Sequence, residues 1–327
     1  MSQQSPVDLW QLCDLQTPWC IHTAATLRIA NHIEAGLSDV NEIAAAAGCD
    51  AYVLDCLLGY LVSKGVFEQT GPGRYALNDA ARGLLDPGLL LGLDLDGFGG
   101  RMAHAWGTML SYVRTGRPAY HTVFGRGFWE DLEAHPPIAA QFDALIGPQG
   151  HGLPSPDFEI TGGWDSLQTV VDLGGGTGAM LAAMLQAHPY LQGTLVDQPG
   201  TVARAAAILQ QAGVSERATL RGQSFFDPLP PGADLYLLRG ILNDWPDEET
   251  VAILTRAAEA ARPNGRVVVL KSVSPNTPRR TMTIEMVLLA GKHRTLDEFK
   301  PLASQSGLEV TSAGPQPAYY VVECRPR

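Results

Sequence analysis

Residues 169–178 read Thr-Val-Val-Asp-Leu-Gly-Gly-Gly-Thr-Gly, and this stretch decides the fold. Its apolar and β-branched start, residues 169–171, predicts a buried parallel strand. Four glycines within five positions then predict a tight turn whose backbone a ligand can approach closely. Residues 179–187 are rich in strong helix formers. Strand, turn and helix in this order predict a nucleotide-type site in a doubly wound α/β sheet. A plain turn between strand and helix would not need glycines that cost so much folding entropy.

Two ligand classes suit such a turn. Residues 174–179 loosely fit the dinucleotide fingerprint Gly-x-Gly-x-x-Ala. Asp172 at the strand end favours a different ligand, because a carboxylate there repels a pyrophosphate and attracts an ammonium or sulfonium group. The turn therefore favours S-adenosylmethionine over NAD. Asp197 ends the short strand 193–197 and is suited to binding the ribose hydroxyls of either ligand.

Composition narrows the class of protein. The chain has 327 residues, 45% of them hydrophobic, which is enough for two domains and a sizeable core. The formal net charge of −11 makes nucleic acid and anionic membranes poor partners. No apolar run approaches the ~20 residues of a membrane span, and the first six residues do not resemble a secretory signal. The five cysteines are scattered without metal-ligand spacing, so we expect reduced thiols, a cytoplasmic protein and no metal.

The N-terminal region predicts a winged-helix arrangement. Residues 7–35 are expected to form two helices with a break at Pro18. A helix at 40–48, a second helix at 51–64 and two short strands around residues 71–73 follow. The second helix has one base and one acid and is otherwise mostly apolar, whereas a helix that reads DNA needs side chains that reach bases and phosphates. The pattern therefore favours a buried helix and dimerisation over DNA binding.

The middle of the chain predicts more helices. A helix is expected around residues 102–113, with Trp106, Met109 and Leu110 along one face, which suits either a core or the wall of an apolar pocket. His151 lies in a loop rich in glycine and proline and is expected to be exposed.

From residue 169 onward the pattern alternates between strand and helix. We expect helices between the first six strands, and the last two strands should form an antiparallel hairpin at one end of the sheet. The candidate strands are residues 169–173, 193–197, 218–221, 234–239, 266–271, 307–312 and 318–324.

In this order the motifs closely resemble those of the S-adenosylmethionine-dependent O-methyltransferases of natural-product pathways, which include plant caffeate-type and bacterial polyketide and anthracycline enzymes. The resemblance covers nearly the whole chain. It rests on Asp-Leu-Gly-Gly-Gly-Thr-Gly at 172–178, Gly-Thr-Leu-Val-Asp at 193–197, Gln-Ser-Phe-Phe-Asp-Pro-Leu-Pro at 223–230, Leu-Asn-Asp-Trp at 242–245 and Gly-Lys-His-Arg-Thr at 291–295.

The resemblance implies a site for S-adenosylmethionine, with S-adenosylhomocysteine as the product. The glycine turn would hold the methionine end and Asp197 the ribose. Ser224 and Phe225 align with an Asp-Phe pair that contacts adenine, so the serine weakens or moves one hydrogen bond. Arg239 is placed to approach the cofactor carboxylate, or is a solvated arginine at a strand end. The implied cofactor residues are Asp172, Gly174, Gly175, Gly176, Asp197, Gln198, Ser224, Phe225 and Arg239.

The chain departs from the family at its usual catalytic set. The family histidine that acts as general base is Asn243, and an amide is no base near neutral pH. Two family glutamates are Lys271 and His293. Three possibilities follow: catalysis by proximity without a strong base, a base moved to His293 across the pocket, or loss of methyl transfer. Asp244 is a candidate catalytic residue, although a helix N-cap is the simpler role for it.

Together these features predict a homodimer. Residues 1–98 would form the mainly helical dimerisation domain and residues 99–327 the catalytic domain, with 99–160 as its helical linker and substrate-pocket region. The expected reaction is O-methylation of a small aromatic or polyketide-type metabolite in a dry apolar pocket. The alternatives are a hydroxylase, decarboxylase or cyclase that retains the cofactor, and a winged-helix regulator that senses it. The expected catalytic residues are His293, Asn243 and Asp244, and the expected pocket walls are Trp106, Phe128, Trp129, Met286 and Leu289.

Overall fold

The computed structural model describes residues 8–147, 154–275 and 281–327. It divides into two compact units, one ending at Ala103 and the other beginning at His104. The predicted boundary between the dimerisation and catalytic domains, after residue 98, lies five residues before this division and stays a prediction. His151 lies outside the described residues.

The first unit is helical with a small antiparallel sheet. Its strands β1 (Glu68–Gly71) and β2 (Arg74–Ala76) pair with each other. Its helices α1 to α7 are Leu9–Leu12, Gln16–Thr26, Ile29–Glu34, Val40–Ala47, Ala51–Ser63, Asp79–Arg82 and Pro87–Leu93. Helix α8, Phe98–Ala105, contains the boundary between the units.

The break near the N-terminus lies elsewhere than predicted. Helix α2 begins at Gln16, so Pro18 lies in its first turn instead of between two helices. A proline is tolerated there because the first N–H groups of a helix have no partner within it. The chain breaks before α2, at residues 13–15, and again at Arg28, whose backbone is left-handed with φ 55°.

Helix α5, the second helix of the winged-helix pattern, is only half buried within its unit. Leu54, Leu58 and Leu61 lie on the face toward the unit's core. Tyr52 and Val53 on the other face are 78% and 60% exposed. More large apolar side chains are exposed near the N-terminus, namely Leu9, Trp10, Leu12 and Leu15. The predicted burial of α5 therefore holds for one face only within this unit taken by itself.

The second unit is built on a seven-stranded sheet in the order β10-β11-β7-β6-β3-β4-β5. Strands β3 to β7 run parallel, while β11 is antiparallel to β7 and to β10, which confirms the predicted terminal hairpin. The strands are β3 Thr169–Leu173, β4 Gln192–Asp197, β5 Ala218–Gly222, β6 Leu235–Arg239, β7 Arg266–Leu270, β10 Leu308–Pro315 and β11 Tyr320–Pro326. The helices are α9 Met109–Thr115, α10 His121–Phe124, α11 Phe128–Ala134, α12 Pro136–Ile146, α13 Ala179–Ala187, α14 Pro199–Gln211, α15 Asp247–Ala261, α16 Ile284–Leu289 and α17 Leu296–Gln305.

The connection from β5 to β6 corrects the prediction of a helix between each pair of the first six strands. Residues 223–234, all of them described, form no helix. Pro228, Pro230 and Pro231 explain this, because each lacks the N–H that a helix interior needs. The Tyr236 hydroxyl donates to the Pro230 carbonyl at 2.6 Å and so ties the loop to the sheet.

Two features lie outside the main prediction. A short parallel pair, β8 (Val273–Ser274) and β9 (Arg294–Thr295), joins the chain after β7 to the segment before α17. Within the described ranges, no single helix is both long and apolar enough to span a membrane; α4 and α5 meet the length and composition requirement only when taken together, across a bend of 112°.

Candidate functional site

The glycine-rich turn after β3 owes its glycines to different causes. Gly174, Gly176 and Gly178 have positive φ angles of 65°, 62° and 80°, which other residues rarely adopt. Gly175 is needed for space, because a Cβ there would overlap the Asp172 carboxylate and the Leu195 side chain. The turn therefore carries no side chain at these positions, so a ligand can approach its backbone closely.

Asp172 lies directly beneath this turn and is only 1% exposed. Its Oδ2 has no hydrogen-bond partner among the described residues. Burial raises the pKa of Asp172 to about 7, against the lowering influence of the Arg239 charge. A buried carboxyl in this state gains most from a cationic ligand, because a positive charge would both pair with Oδ2 and favour its ionisation.

Asp197 at the end of β4 is fixed by two backbone donors. Its Oδ2 accepts from the Gly176 N–H at 2.8 Å and its Oδ1 from the Gln198 N–H at 2.7 Å. Burial raises its pKa despite these bonds. The structure thus brings Asp197 at the end of β4 together with the predicted cofactor residues in the glycine turn after β3.

Ser224 and Phe225 lie in the loop after β5. The Ser224 hydroxyl accepts from the Phe226 N–H at 3.2 Å and so supports the loop locally. The Phe225 ring contacts Trp245 edge-on, with centroids 5.9 Å apart, and would lie 3.5 Å from a Cβ at Gly174. An aromatic face is therefore available beside the glycine turn, as the resemblance implies.

Arg239 ends β6 and Lys271 follows β7. Arg239 is half-buried, and its Nε is shielded from water without a partner among the described residues, so it is more than a solvated arginine. Lys271 is exposed and has a positive φ of 62°. Its pKa is lowered by partial burial and by the charge of Arg239.

A chain of polar side chains crosses the carboxyl ends of β6 and β7. The buried Ser272 hydroxyl donates to Asn243 Oδ1 at 3.0 Å, and Asn243 Nδ2 donates to Asp244 Oδ1 at 2.9 Å. Asp244 is half-buried; desolvation raises its pKa to about 7, and the negative charge of Glu285 adds to the effect.

Asp244 does not cap a helix, contrary to the simpler role expected for it. The N-cap of α15 is Pro246, without a side-chain capping bond, and Asp244 belongs to the short 3₁₀ turn Leu242–Asp244. The turn leaves the carboxyl beside the Asn243 amide instead of over the helix end.

His293 is exposed and has no hydrogen bond or ion pair within the described ranges. Its neighbour Arg294 is the buried residue, with a side chain only 1% exposed. Arg294 donates to the carbonyls of Leu242 and Trp245 at 2.7 and 2.8 Å and pairs with Asp247 at 2.8 Å. The backbone N–H of Lys292 also donates to the Asn243 carbonyl at 2.8 Å.

Arg294 is a residue of this site that the sequence pattern does not reveal. It holds the turn that presents Asn243 and Asp244, although its contacts lie about 50 positions earlier in the chain. Its only signal in the sequence is its place in the segment 291–295, next to the histidine.

The expected pocket walls are distributed around the same turn. Trp129 stacks on Trp245, with centroids 6.2 Å apart and planes 17° apart, while Phe128 is buried behind Trp129. Helix α16, which carries the half-buried Met286 and Leu289, packs near the turn Leu242–Asp244 and near the turn that begins at Trp106. Trp106 itself is 38% exposed. Among the described residues, no cluster of histidine, cysteine and acidic side chains could hold a metal.

Comparison with known proteins gives matches over the whole chain. A family model described as an O-methyltransferase domain matches residues 106–309, and one described as an O-methyltransferase dimerisation domain matches residues 10–87. The chain is 41% identical to a 2,7-dihydroxy-5-methyl-1-naphthoate 7-O-methyltransferase of Streptomyces carzinostaticus, over 97% of each protein. It is 34% identical to the aclacinomycin 10-hydroxylase RdmB of Streptomyces purpurascens, over 95% of this chain and 86% of the relative.

A solved structure is similarly close. It is an O-methyltransferase (NcsB1) from neocarzinostatin biosynthesis in complex with S-adenosylmethionine and 2-hydroxy-5-methyl naphthoic acid. The two structures align with a TM-score of 0.89 and 40% identity, covering 99% of this chain and 100% of the other.

Proposed function

The chain belongs to the S-adenosylmethionine-dependent O-methyltransferase family, and from this premise we propose that its acceptor is a hydroxylated aromatic acid of the naphthoate type. The family match confirms the resemblance predicted from the sequence. The acceptor class is supported by the 41% identical relative, whose name specifies a naphthoate. The observation that carries the catalytic proposal is the half-buried Asp244 carboxyl at the end of the hydrogen-bonded chain from Ser272 through Asn243. Desolvation raises its pKa to about 7, which suits proton removal from a phenol.

The residues present fit the cofactor. Asp172 has a buried oxygen without a described partner, and the bare turn at Gly175 leaves no room for a side chain. We assign Asp172 to the cationic methionine end, Asp197 to the ribose hydroxyls and Phe225 to the adenine face. When bound, S-adenosylmethionine supplies an electrophilic methyl group on a positively charged sulfur.

The chain's own residues handle the acceptor proton. Asp244 accepts the proton of the phenolic hydroxyl, and the Asn243 amide, held by the Ser272 hydroxyl, orients the carboxylate. A carboxyl with an ordinary pKa near 3.8 would be a weak base for a phenol, so the raised pKa matters. Trp129 and Trp245 supply a flat apolar wall beside this carboxyl.

Two rival catalytic routes stay predictions. His293 as the base would require its exposed ring to turn toward Asn243. Catalysis by proximity alone would need no base at all and would leave the rate indifferent to both Asp244 and His293.

A second function has one specific observation in its favour. The 34% identical relative is named as a hydroxylase, so a related fold can serve different chemistry. A chain that hydroxylates would add an oxygen atom to its substrate and leave S-adenosylmethionine unconsumed.

Features of the first unit support a proposal for the oligomeric state of the protein. The dimerisation-domain match over residues 10–87 and the exposed apolar side chains near the N-terminus support a homodimer. We propose residues 1–98 as the dimerisation domain and 99–327 as the catalytic domain. The five free cysteines favour a cytoplasmic location. Light scattering behind size-exclusion chromatography tests the dimer, and fractionation of the producing cell tests the location.

The deciding experiment measures product mass. Purified protein is incubated with S-adenosylmethionine and a set of hydroxynaphthoic acids. O-methylation gives a product heavier by one CH2, together with one S-adenosylhomocysteine per product. Omission of S-adenosylmethionine is the control. A product heavier by one oxygen, or lighter by one carbon dioxide, would replace the methyltransfer proposal with one of its alternatives.

A further inference from the structure

Two cationic side chains share one aromatic ring at the edge of the sheet. Lys271 Nζ lies 6.0 Å from the centroid of the Tyr319 ring, and Arg239 Cζ lies 5.9 Å from the same centroid. Tyr319 is buried, and its hydroxyl donates to the Ser155 carbonyl at 2.9 Å, which holds the ring in place. The ring is therefore a fixed platform for both charges.

Neither cation forms an ion pair with an acidic side chain in the part of the chain that the structure describes, and Arg239 Nε lacks any hydrogen bond there. Arg239 does act on the charge of Asp172, whose pKa it lowers, but we assign that carboxyl to the cofactor. Arg239 also lowers the pKa of Lys271, as expected for two like charges placed side by side. An anion bound here would relieve that repulsion.

Lys271 lies between the cofactor residues and the acceptor residues. Arg239 pairs in register with Leu270, so Lys271 is the first residue beyond the paired end of β7. The next residue, Ser272, donates to Asn243 in the chain that leads to Asp244. Ligands of doubly wound sheets bind at these carboxyl ends. The exposed Lys271 is thus accessible beside the residues that face the acceptor.

We propose that Lys271 binds the carboxylate of an aromatic acid acceptor, while Arg239 is left to the carboxylate of the cofactor. The inference rests on the proposed function for the identity of the acceptor. An ammonium group forms charge-assisted hydrogen bonds with a carboxylate, and the fixed Tyr319 ring supports its side chain. Such a contact would make the enzyme select acids over the corresponding neutral phenols.

The test uses a matched pair of ligands, 2-hydroxy-1-naphthoic acid and 2-naphthol, which differ only in the carboxylate. Calorimetry measures their binding to full-length protein saturated with S-adenosylhomocysteine, so no turnover is needed. The variants are Lys271→Met, which removes the charge, and Lys271→Arg, which keeps it. Lys300→Met is the control, because Lys300 is exposed on α17 and its one ion pair among the described residues is with the exposed Asp297.

Lys271→Met should weaken binding of the acid about 10- to 100-fold, the value of one charge-assisted hydrogen bond. Binding of 2-naphthol and of S-adenosylmethionine should not change, which also shows that the variant is folded. Lys271→Arg should retain most of the affinity for the acid, and Lys300→Met all of it.

Three outcomes overturn the inference. The wild-type protein shows no preference for the acid over the naphthol, or Lys271→Met changes both ligands equally, or it weakens S-adenosylmethionine and leaves the acid unaffected. The last outcome assigns Lys271 to the cofactor carboxylate. Failure of the proposed function looks different: a protein that binds the acid through Lys271 but forms no methylated product refutes methyl transfer and retains the site.

Discussion

The proposed cofactor side and the proposed acceptor side of the site are built by different means. The turn at residues 174–178 takes its shape from its own glycines, and its acid Asp197 accepts bonds from backbone N–H groups. The turn at residues 242–244 is instead held by Arg294, a side chain about 50 positions away. A local motif therefore specifies the first side, whereas the second depends on a long-range polar contact. Substitutions that change one side and spare the other test this division.

The largest effect is expected from Asp244→Asn. If Asp244 is the base, kcat should fall about 100- to 10,000-fold, while the calorimetric affinity for S-adenosylmethionine stays unchanged. The wild-type kcat should rise with pH through about 7, because Asp244 must lose its proton before it can accept another. That rise should be absent from the variant.

His293→Ala separates the competing routes of catalysis. It should leave kcat within about twofold if Asp244 is the base. A large loss in His293→Ala that is smallest at high pH, with Asp244→Asn nearly normal, would move the base to His293. Normal rates in both variants would favour catalysis by proximity.

Arg294→Met should destabilise the catalytic unit by about 3 to 4 kcal/mol, because it leaves the carbonyl groups of Leu242 and Trp245 without their buried donor. Urea unfolding followed by circular dichroism measures the loss. Lys292→Met is the matched control, since Lys292 pairs with Asp247, as Arg294 does, but from a half-exposed position, and should cost less than about 1 kcal/mol. Equal losses in the two variants would contradict the role assigned to Arg294.

Gly175→Ala should weaken S-adenosylmethionine binding about 100-fold, because the new Cβ would push against Asp172 and Leu195. Gly83→Ala is a fair control, since Gly83 has a right-handed helical backbone and no neighbour within 4 Å of an added Cβ. Affinity is read by calorimetry. A Gly175→Ala protein with normal affinity would show that the cradle tolerates a side chain.

Asp172→Asn should change the stability of the protein in the opposite direction, because it removes a buried ionisable group. The folded pKa of about 7 exceeds the ordinary 3.8, so the folded wild type holds an extra proton between these values and loses stability as pH rises through them. Without ligand, the variant should therefore be more stable than wild type at pH 8, by about 4 kcal/mol, and nearly equal to it near pH 4. It should bind S-adenosylmethionine poorly at every pH. Thermal unfolding at the two pH values measures this; a stability difference between variant and wild type that is the same at pH 4 and pH 8 would contradict the assignment to Asp172.

The sequence predicted the fold better than the chemistry. The strands, the terminal hairpin and the glycine turn follow from local patterns of apolar residues and glycine. The helix expected between β5 and β6 failed because three prolines in that loop interrupt the repeating pattern. Asp244 resembles a helix cap in sequence because spacing alone does not show that the helix begins after Pro246. The role of Arg294 could not be predicted, because nothing in the sequence marks an arginine as buried before its distant carbonyl partners are known.

The bond from Arg294 to Leu242 also has a consequence for synthesis. A nascent chain that has reached residue 275 already contains the whole glycine turn, Asp197, Asn243 and Asp244. It lacks the arginine on which the carbonyls of Leu242 and Trp245 depend, so these groups must stay with water until translation has passed residue 294. The turn at residues 242–244 is therefore completed later than the glycine turn, and a chain that stalls between these points lacks the contacts that hold Asn243 and Asp244 in place.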